Sequence, residues 1–285
     1  MVLFSRSLKT AMLTILANTI MLSATVRIMP LGDSITYDER YSDLAGTPRP
    51  SSARTAYRSH LWYMLEQVDY PVDFVGSRIA GEGVKPAFDP ENEGHPGWTT
   101  YDIAERTYEY MSNSIPDIVL LHIGTNDRAT TNPEGVNQIL NEIDQYELAS
   151  GHHIKVFVAL IIDRQSPDGR IRIFNDRLKL LLDGRIAQGD DIVIVDMYHH
   201  AGLTSDDYAD NTHPNYSGYK KMALQWYNAL LNNPYDPGST PPSSPSVSLE
   251  KYPESLVPAS DIESLEITGS TVSFLTYVPD NGILF

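Results

Sequence analysis

Along residues 25–233, short runs rich in β-branched residues alternate with longer stretches whose apolar positions recur every three or four residues. The runs are 26–30 (VRIMP), 72–75 (VDFV), 117–123 (DIVLLHI), 154–162 (IKVFVALII) and 191–197 (DIVIVDM), and three of them are almost continuously apolar. Strands buried on both faces read that way, and they belong to parallel sheets covered by helices on each side. Between the runs the spacing predicts helices over 56–67, 101–111, 133–148, 171–185 and 216–231. The last sets Tyr219, Met222, Trp226 and Leu230 in one apolar stripe. The order βαβαβαβαβα predicts a doubly wound, flavodoxin-like, three-layer α/β/α domain on a five-stranded parallel sheet.

The two ends depart from this pattern. Residues 1–24 carry Arg6 and Lys9 and then, over 10–24 (TAMLTILANTIMLSA), no charge at all. A basic start, a short apolar stretch and a small residue at its end are the marks of a signal peptide cleaved after Ala24, so a secreted, extracellular protein is expected. The run is shorter than the about 20 apolar residues that span a bilayer, so stable membrane insertion is not expected. A buried N-terminal helix is the alternative. At the other end, 234–260 holds seven Pro and seven Ser among its 27 residues. Pro withholds backbone donors and Ser adds no apolar area, so this segment reads as an extended linker. Residues 261–285 alternate polar and apolar side chains like one or two strands, in a piece too small to fold alone.

Composition narrows the chemistry. The 285 residues include 21 basic and 37 acidic ones, a net charge of −16, and no cysteine. Phosphate backbones and anionic membranes need basic patches, so nucleic acid is not an expected partner. Without cysteine there are no disulfides, thiolate zinc sites or cysteine nucleophiles.

In open α/β sheets ligands sit beyond the carboxyl ends of the strands. The first run ends in Gly32-Asp33-Ser34-Ile35-Thr36. Gly32 permits a tight turn, and Ser34 at the next helix start can present Oγ to a substrate and its N–H to a developing oxyanion; alternatively it only caps the helix. The G-x-S-x-G elbow is not matched, because Thr36 stands at its second glycine. The third run leads into Gly124-Thr125-Asn126-Asp127, where Asn126 offers a neutral amide donor and Asp127 can brace the loop, or both close a turn. After the fifth run comes Asp210-Asn211-Thr212-His213. That spacing lets a carboxylate hold imidazole Nδ1–H and leaves Nε2 to take a hydroxyl proton; a solvent-exposed His213 is the plain alternative. In 93–102 (EGHPGWTTYD), Thr99 and Asp102 form a capping-box pair, so Gly97 lies where free N–H groups gather, in an otherwise ordinary turn with a structural His95.

Taken in order, these blocks resemble the SGNH (GDSL-type) hydrolases: Ser34 in GDS, Gly97 in HPGW, Asn126 in GTND, and Asp210 with His213 in DNTH. The segments VRIMPLGDSIT, YRSHLWYML, VDFVGS, EGHPGW, PDIVLLHIGTND and THPNYSGYKKMA are similar to family 3 carbohydrate esterases, secreted acetylxylan esterases, over roughly residues 26–232. Three features depart from that resemblance, one being Asp163, which follows the fourth run where the similar enzymes more ordinarily have an uncharged residue. The similar enzymes have a short glycine-rich link before Tyr57-Arg58-Ser59 where this chain has the longer, charged 38–55 (DERYSDLAGTPRPSSART), and the tail from Pro234 has no counterpart.

The resemblance implies a serine esterase without cofactor or metal that removes acetyl or other short acyl groups from a polysaccharide such as xylan. Ser34 would be the nucleophile, His213 the base and Asp210 its orienter, with an oxyanion hole of Ser34, Gly97 and Asn126. Tyr37, Trp98 and Tyr101 lie near these blocks in sequence and are candidates to stack on sugar rings. The alternatives are a lysophospholipase or acyl-thioesterase with the same residues, and a carbohydrate-binding protein without catalysis. A further one is a metal-dependent phosphoesterase using Asp33, Asp127, Asp196, His199 and His213.

Overall fold

The computed structural model describes residues 25–46 and 48–239, with the backbone of two short strands in the tail. The expected leader 1–24 and most of the expected linker lie outside the described residues. The first half of the body runs β1 (Val26–Gly32), α1 (Ser34–Tyr37), α2 (Arg58–Glu66), β2 (Val72–Phe74), β3 (Arg78–Ile79), β4 (Glu91–Gly94), α3 (Thr100–Ser114) and β5 (Ile118–His122). The second half continues with α4 (Glu134–Ser150), β6 (Lys155–Leu160), α5 (Arg170–Ile186), β7 (Ile192–Asp196), α6 (Met197–His200) and α7 (Tyr216–Asn232). In the tail β8 (Leu265–Ile267) pairs antiparallel with β9 (Val272–Phe274).

Five parallel strands form the sheet β2-β1-β5-β6-β7, the doubly wound order expected. The strand count is larger than five, because β4 pairs parallel with β1 beyond β2 and β3 pairs antiparallel with β4. Those two strands escape hydrophobic patterning: β4 is Glu-Asn-Glu-Gly, and it is buried because its polar side chains are bonded internally. Asn92 Nδ2 donates to the carbonyls of Arg78 and Pro90, and Glu93 accepts from Ser77.

Alternation explains why the central strands are apolar throughout. Met29, Leu31, Val119, Leu121, Val156 and Val158 point to the layer of α3, α4 and α5. Their neighbours Ile28, Ile118, Leu120, Phe157 and Ala159 point to the layer of α2 and α7, where Trp226 is wholly buried. Pro30 interrupts a central strand, yet it falls between the last β2 partner (Ile28 with Phe74) and the first β4 partner (Leu31 with Glu93). A residue without an N–H thus sits at the changeover between neighbours. The chain leaves β1 to one side for β2 and returns to the other for β5, so the ends of β1 and β5 lie side by side at the switch point of the winding.

Candidate active site

At the end of β1, Gly32 remains within the strand, and a side chain there would collide with the His122 carbonyl oxygen of β5 and with Thr36. It serves close packing rather than the expected tight turn. Asp33, not Ser34, caps α1, accepting the Ile35 N–H at 2.9 Å. Ser34 is therefore the first helical residue, and its hydroxyl is left for another partner. That partner is His213, whose Nε2 lies 2.9 Å from Ser34 Oγ.

The imidazole is fixed from behind. Both oxygens of Asp210 lie 2.9 Å from His213 Nδ1, and Asp210 also accepts the N–H groups of Thr212 at 2.9 Å, His213 at 2.8 Å and Tyr41 at 3.0 Å. Burial alone would raise the Asp210 pKa, but these N–H groups and the imidazole hold the carboxyl below its ordinary value. Ser34, His213 and Asp210 thus form one hydrogen-bonded chain across 179 residues of sequence, with Ser34 and His213 buried.

Two further loops are tied to each other, and one of them to the end of β1. The His95 N–H donates to the Gly32 carbonyl at 2.8 Å, which ties the loop carrying Gly97 to the strand that carries Ser34. Gly97 has φ +83°, a left-handed conformation that favours glycine, and nothing crowds the place of its missing side chain. The reason for glycine is conformational here and steric at Gly32. Asn126 donates through Nδ2 to the Trp98 carbonyl at 2.9 Å, so one amide hydrogen is anchored and the other is available to a ligand. Thr99 and Asp102 form the expected capping box. Asp127 braces the loop by accepting the Thr100 N–H at 3.1 Å and the Thr100 hydroxyl at 2.6 Å. Asp33 is fully buried, and burial, helped by the nearby Asp127, pushes its pKa up to about 7 against the opposing Ile35 N–H.

The aromatic candidates divide. Tyr37 is a correction: it is 8% exposed, with the guanidiniums of Arg78 and Arg54 over its ring at 4.5 and 5.5 Å, so it offers no face to a sugar. Trp98 stacks on His95 at 4.2 Å and packs on the core, while His95 Nε2 pairs with Glu93 at 2.6 Å, a structural role. Tyr101 is exposed at the start of α3. Among the described residues no three His, Asp or Glu side chains converge to hold a metal. Of the candidate ligands, Asp196 and His199 pair with each other at 2.9 Å, and His213 is occupied by Ser34 and Asp210.

Tyr41 was not singled out by sequence reasoning. It opens a short 3-10 helix, Tyr41–Leu44, inside the charged 38–55 segment. Besides its N–H bond to Asp210, its ring meets the His213 ring edge-on at 5.0 Å and its hydroxyl lies 2.9 Å from Thr212 Oγ1. The segment is held by Arg49, which bonds Asp38 (3.1 Å) and Asp43 (2.7 Å) together. Burial works against the Asp43 charge, yet the Arg49 hydrogen bonds keep that carboxyl well below the usual range. No spacing signal announces this contact, because the fold joins positions 169 residues apart.

A strand-end serine bonded to a histidine that is bonded to an aspartate is the arrangement of a serine hydrolase. Residues 31–221 match the model of the GDSL-like Lipase/Acylhydrolase family, and the chain belongs to that family. It is similar to the family 3 carbohydrate esterase of Clostridium thermocellum, at 27% identity and a TM-score of 0.61 over 73% of this chain and 96% of that one. It is also similar to a family 3 carbohydrate esterase of Talaromyces cellulolyticus, at 29% identity and a TM-score of 0.59 over 73% and 97%. A multidomain esterase of Ruminococcus flavefaciens is 29% identical over 256 residues, which are 79% of this chain and 31% of that protein. The chain thus spans about a third of that relative's length.

Proposed function

We propose that the protein is a secreted serine esterase that removes short acyl groups, acetyl foremost, from a polysaccharide such as xylan. The observation that carries this reading is the hydrogen-bonded chain Ser34–His213–Asp210 at the sheet's switch point. In the mechanism, His213 Nε2 takes the Ser34 proton as Oγ attacks the ester carbonyl, and Asp210 keeps the imidazole in the tautomer with Nδ1–H. The N–H groups of Ser34 and Gly97 and the unanchored amide hydrogen of Asn126 meet the oxyanion. His213 returns the proton to the leaving sugar hydroxyl. Water then attacks the acyl-enzyme with the same base, releasing the acid and restoring Ser34. Acetyl on a glycan is favoured by likeness to two family 3 carbohydrate esterases and to an acetyl esterase mutant solved with an acetate ion, at 29% identity and a TM-score of 0.59. Secretion rests on the leader-like 1–24.

The test is acetate release from acetylated xylan, compared with hydrolysis of long-chain esters, by the native chain and Ser34→Ala. Release by the native chain alone, with acetyl preferred, is the expected result; equal release by both proteins rejects the mechanism, and a long-chain preference rejects the substrate. Expression with residues 1–24 intact should give a secreted chain beginning at Thr25.

A further inference from the structure

Beside the Ser34–His213–Asp210 chain lies a cavity of about 310 Å³, at the lower end of the roughly 300–1,000 Å³ typical of small-ligand sites. It adjoins the site through Thr125, which precedes Asn126, and Asn211, which follows Asp210. Three guanidiniums line it: Arg128, Arg164 and Arg170. In a chain of net charge −16, Arg49, Arg54, Arg172 and Arg185 all pair with carboxylates. The three cavity arginines instead bond to neutral oxygens. Arg164 donates to Thr212 Oγ1 at 3.0 Å and the Thr125 carbonyl at 2.9 Å, Arg128 to the Tyr41 hydroxyl at 3.2 Å, and Arg170 to the Arg128 carbonyl. Arg164 is half-buried and Arg128 and Arg170 are exposed, and none of the three forms an ion pair with a carboxylate among the described residues.

Two carboxylates also line the cavity, and neither pairs with its guanidiniums. Asp127 accepts from Thr100, and Asp168 accepts the Arg170 N–H at the start of α5. Three cations against two anions leave one positive charge, suited to a monoanion rather than a doubly charged phosphate. The forked guanidinium matches a planar carboxylate. We propose that this cavity binds a carboxylate carried by the glycan, so that the substrate is an acylated, uronate-bearing polysaccharide. This rests on the esterase reading above and names the substrate class within it.

The experiment separates the two. Binding is measured by calorimetry on the full Ser34→Ala chain, with a xylo-oligosaccharide carrying one glucuronic acid and with the same oligosaccharide lacking it. The acidic one should bind about tenfold more tightly at low salt, and the preference should shrink as salt screens it. Arg170→Gln and Arg128→Gln should each weaken the acidic ligand roughly three- to tenfold and the neutral one less, while Arg172→Gln, on the same helix but paired with Asp176, leaves the preference intact. Equal binding of the two oligosaccharides, or an acidic preference that survives both substitutions, overturns the proposal. On the native chain, faster hydrolysis of 4-nitrophenyl succinate than of the acetate, without a preference among oligosaccharides, would put the carboxylate on the acyl group and overturn it also. An acidic preference in binding, with no ester hydrolysed by the native chain, would reject the esterase reading and leave the carboxylate site standing.

Discussion

Two of the carboxylate-bonded histidines lie beyond opposite ends of the strands of one sheet, and they are built for different ends. His213, beyond the carboxyl ends of the strands, gives Nδ1 to Asp210 and points Nε2 at a hydroxyl. His153, just before β6, lies 2.9 Å from Glu147 through Nδ1 and 3.0 Å from Asp191 through Nε2. Hydrogen bonds to Asp191 and then Glu147, working against burial, push the His153 pKa up to about 9. With both nitrogens donating, that ring is a fixed cation that clamps α4 to the start of β7. A histidine becomes a base only where one nitrogen is left facing a proton it can take.

The strongest test of this contrast is to remove the hydroxyl that His213 faces. Ser34→Ala should lower kcat by at least about 10⁴, and adding His213→Ala should cost little more, because the residues act as one unit. Additive losses, measured as acetate release, would break the comparison at its functional end. Asn126→Ala removes one oxyanion donor and should cost about 10²–10³ in kcat with KM nearly unchanged. A rise in KM alone would move Asn126 from transition-state stabilisation to ground-state binding.

At the other edge the effect should appear in stability. His153→Ala leaves Glu147 buried with the Ile154 N–H as its remaining donor, at 2.6 Å, and should cost about 3 kcal/mol in urea unfolding while kcat stays within about twofold. The folded-state pKa of about 9 exceeds the ordinary 6.5, so the clamp contributes fully below about pH 6.5 and is lost as pH rises through about 9. The stability gap between native chain and variant should therefore close at alkaline pH. A gap unchanged from pH 6 to pH 10 would show that His153 acts through packing alone.

Much of this is legible in the sequence. The five parallel strands and five long helices follow from periodicity, and Ser34, Asp210 and His213, which follow strands in the sequence, are bonded to one another in the structure. What escaped has physical causes. The buried strand β4 is polar because internal hydrogen bonds replace apolar contacts, and α1 and α6, at four residues each, are too short to show a helical period. Tyr37 is close to Ser34 in sequence but not open to a ligand, because the turn of α1 sends its ring under Arg54 and Arg78.

The smallest expected effect belongs to the Tyr41 N–H on Asp210, supplied by the 38–55 segment. Tyr41 is the first residue of its 3-10 helix, where proline is tolerated, and Arg40 before it is extended (φ −103°, ψ 163°), as a residue preceding proline prefers. Tyr41→Ala removes the ring from His213 and keeps the N–H; Tyr41→Pro removes both. The difference between these variants isolates one hydrogen bond to a carboxylate at a partly open site, about 1 kcal/mol or roughly fivefold in kcat/KM. Since that N–H helps hold the Asp210 pKa down, its loss lets the carboxyl protonate at higher pH. Equal rates in the two variants would mean that the segment touches the site without positioning Asp210, and that Thr212, His213 and the imidazole suffice to hold it.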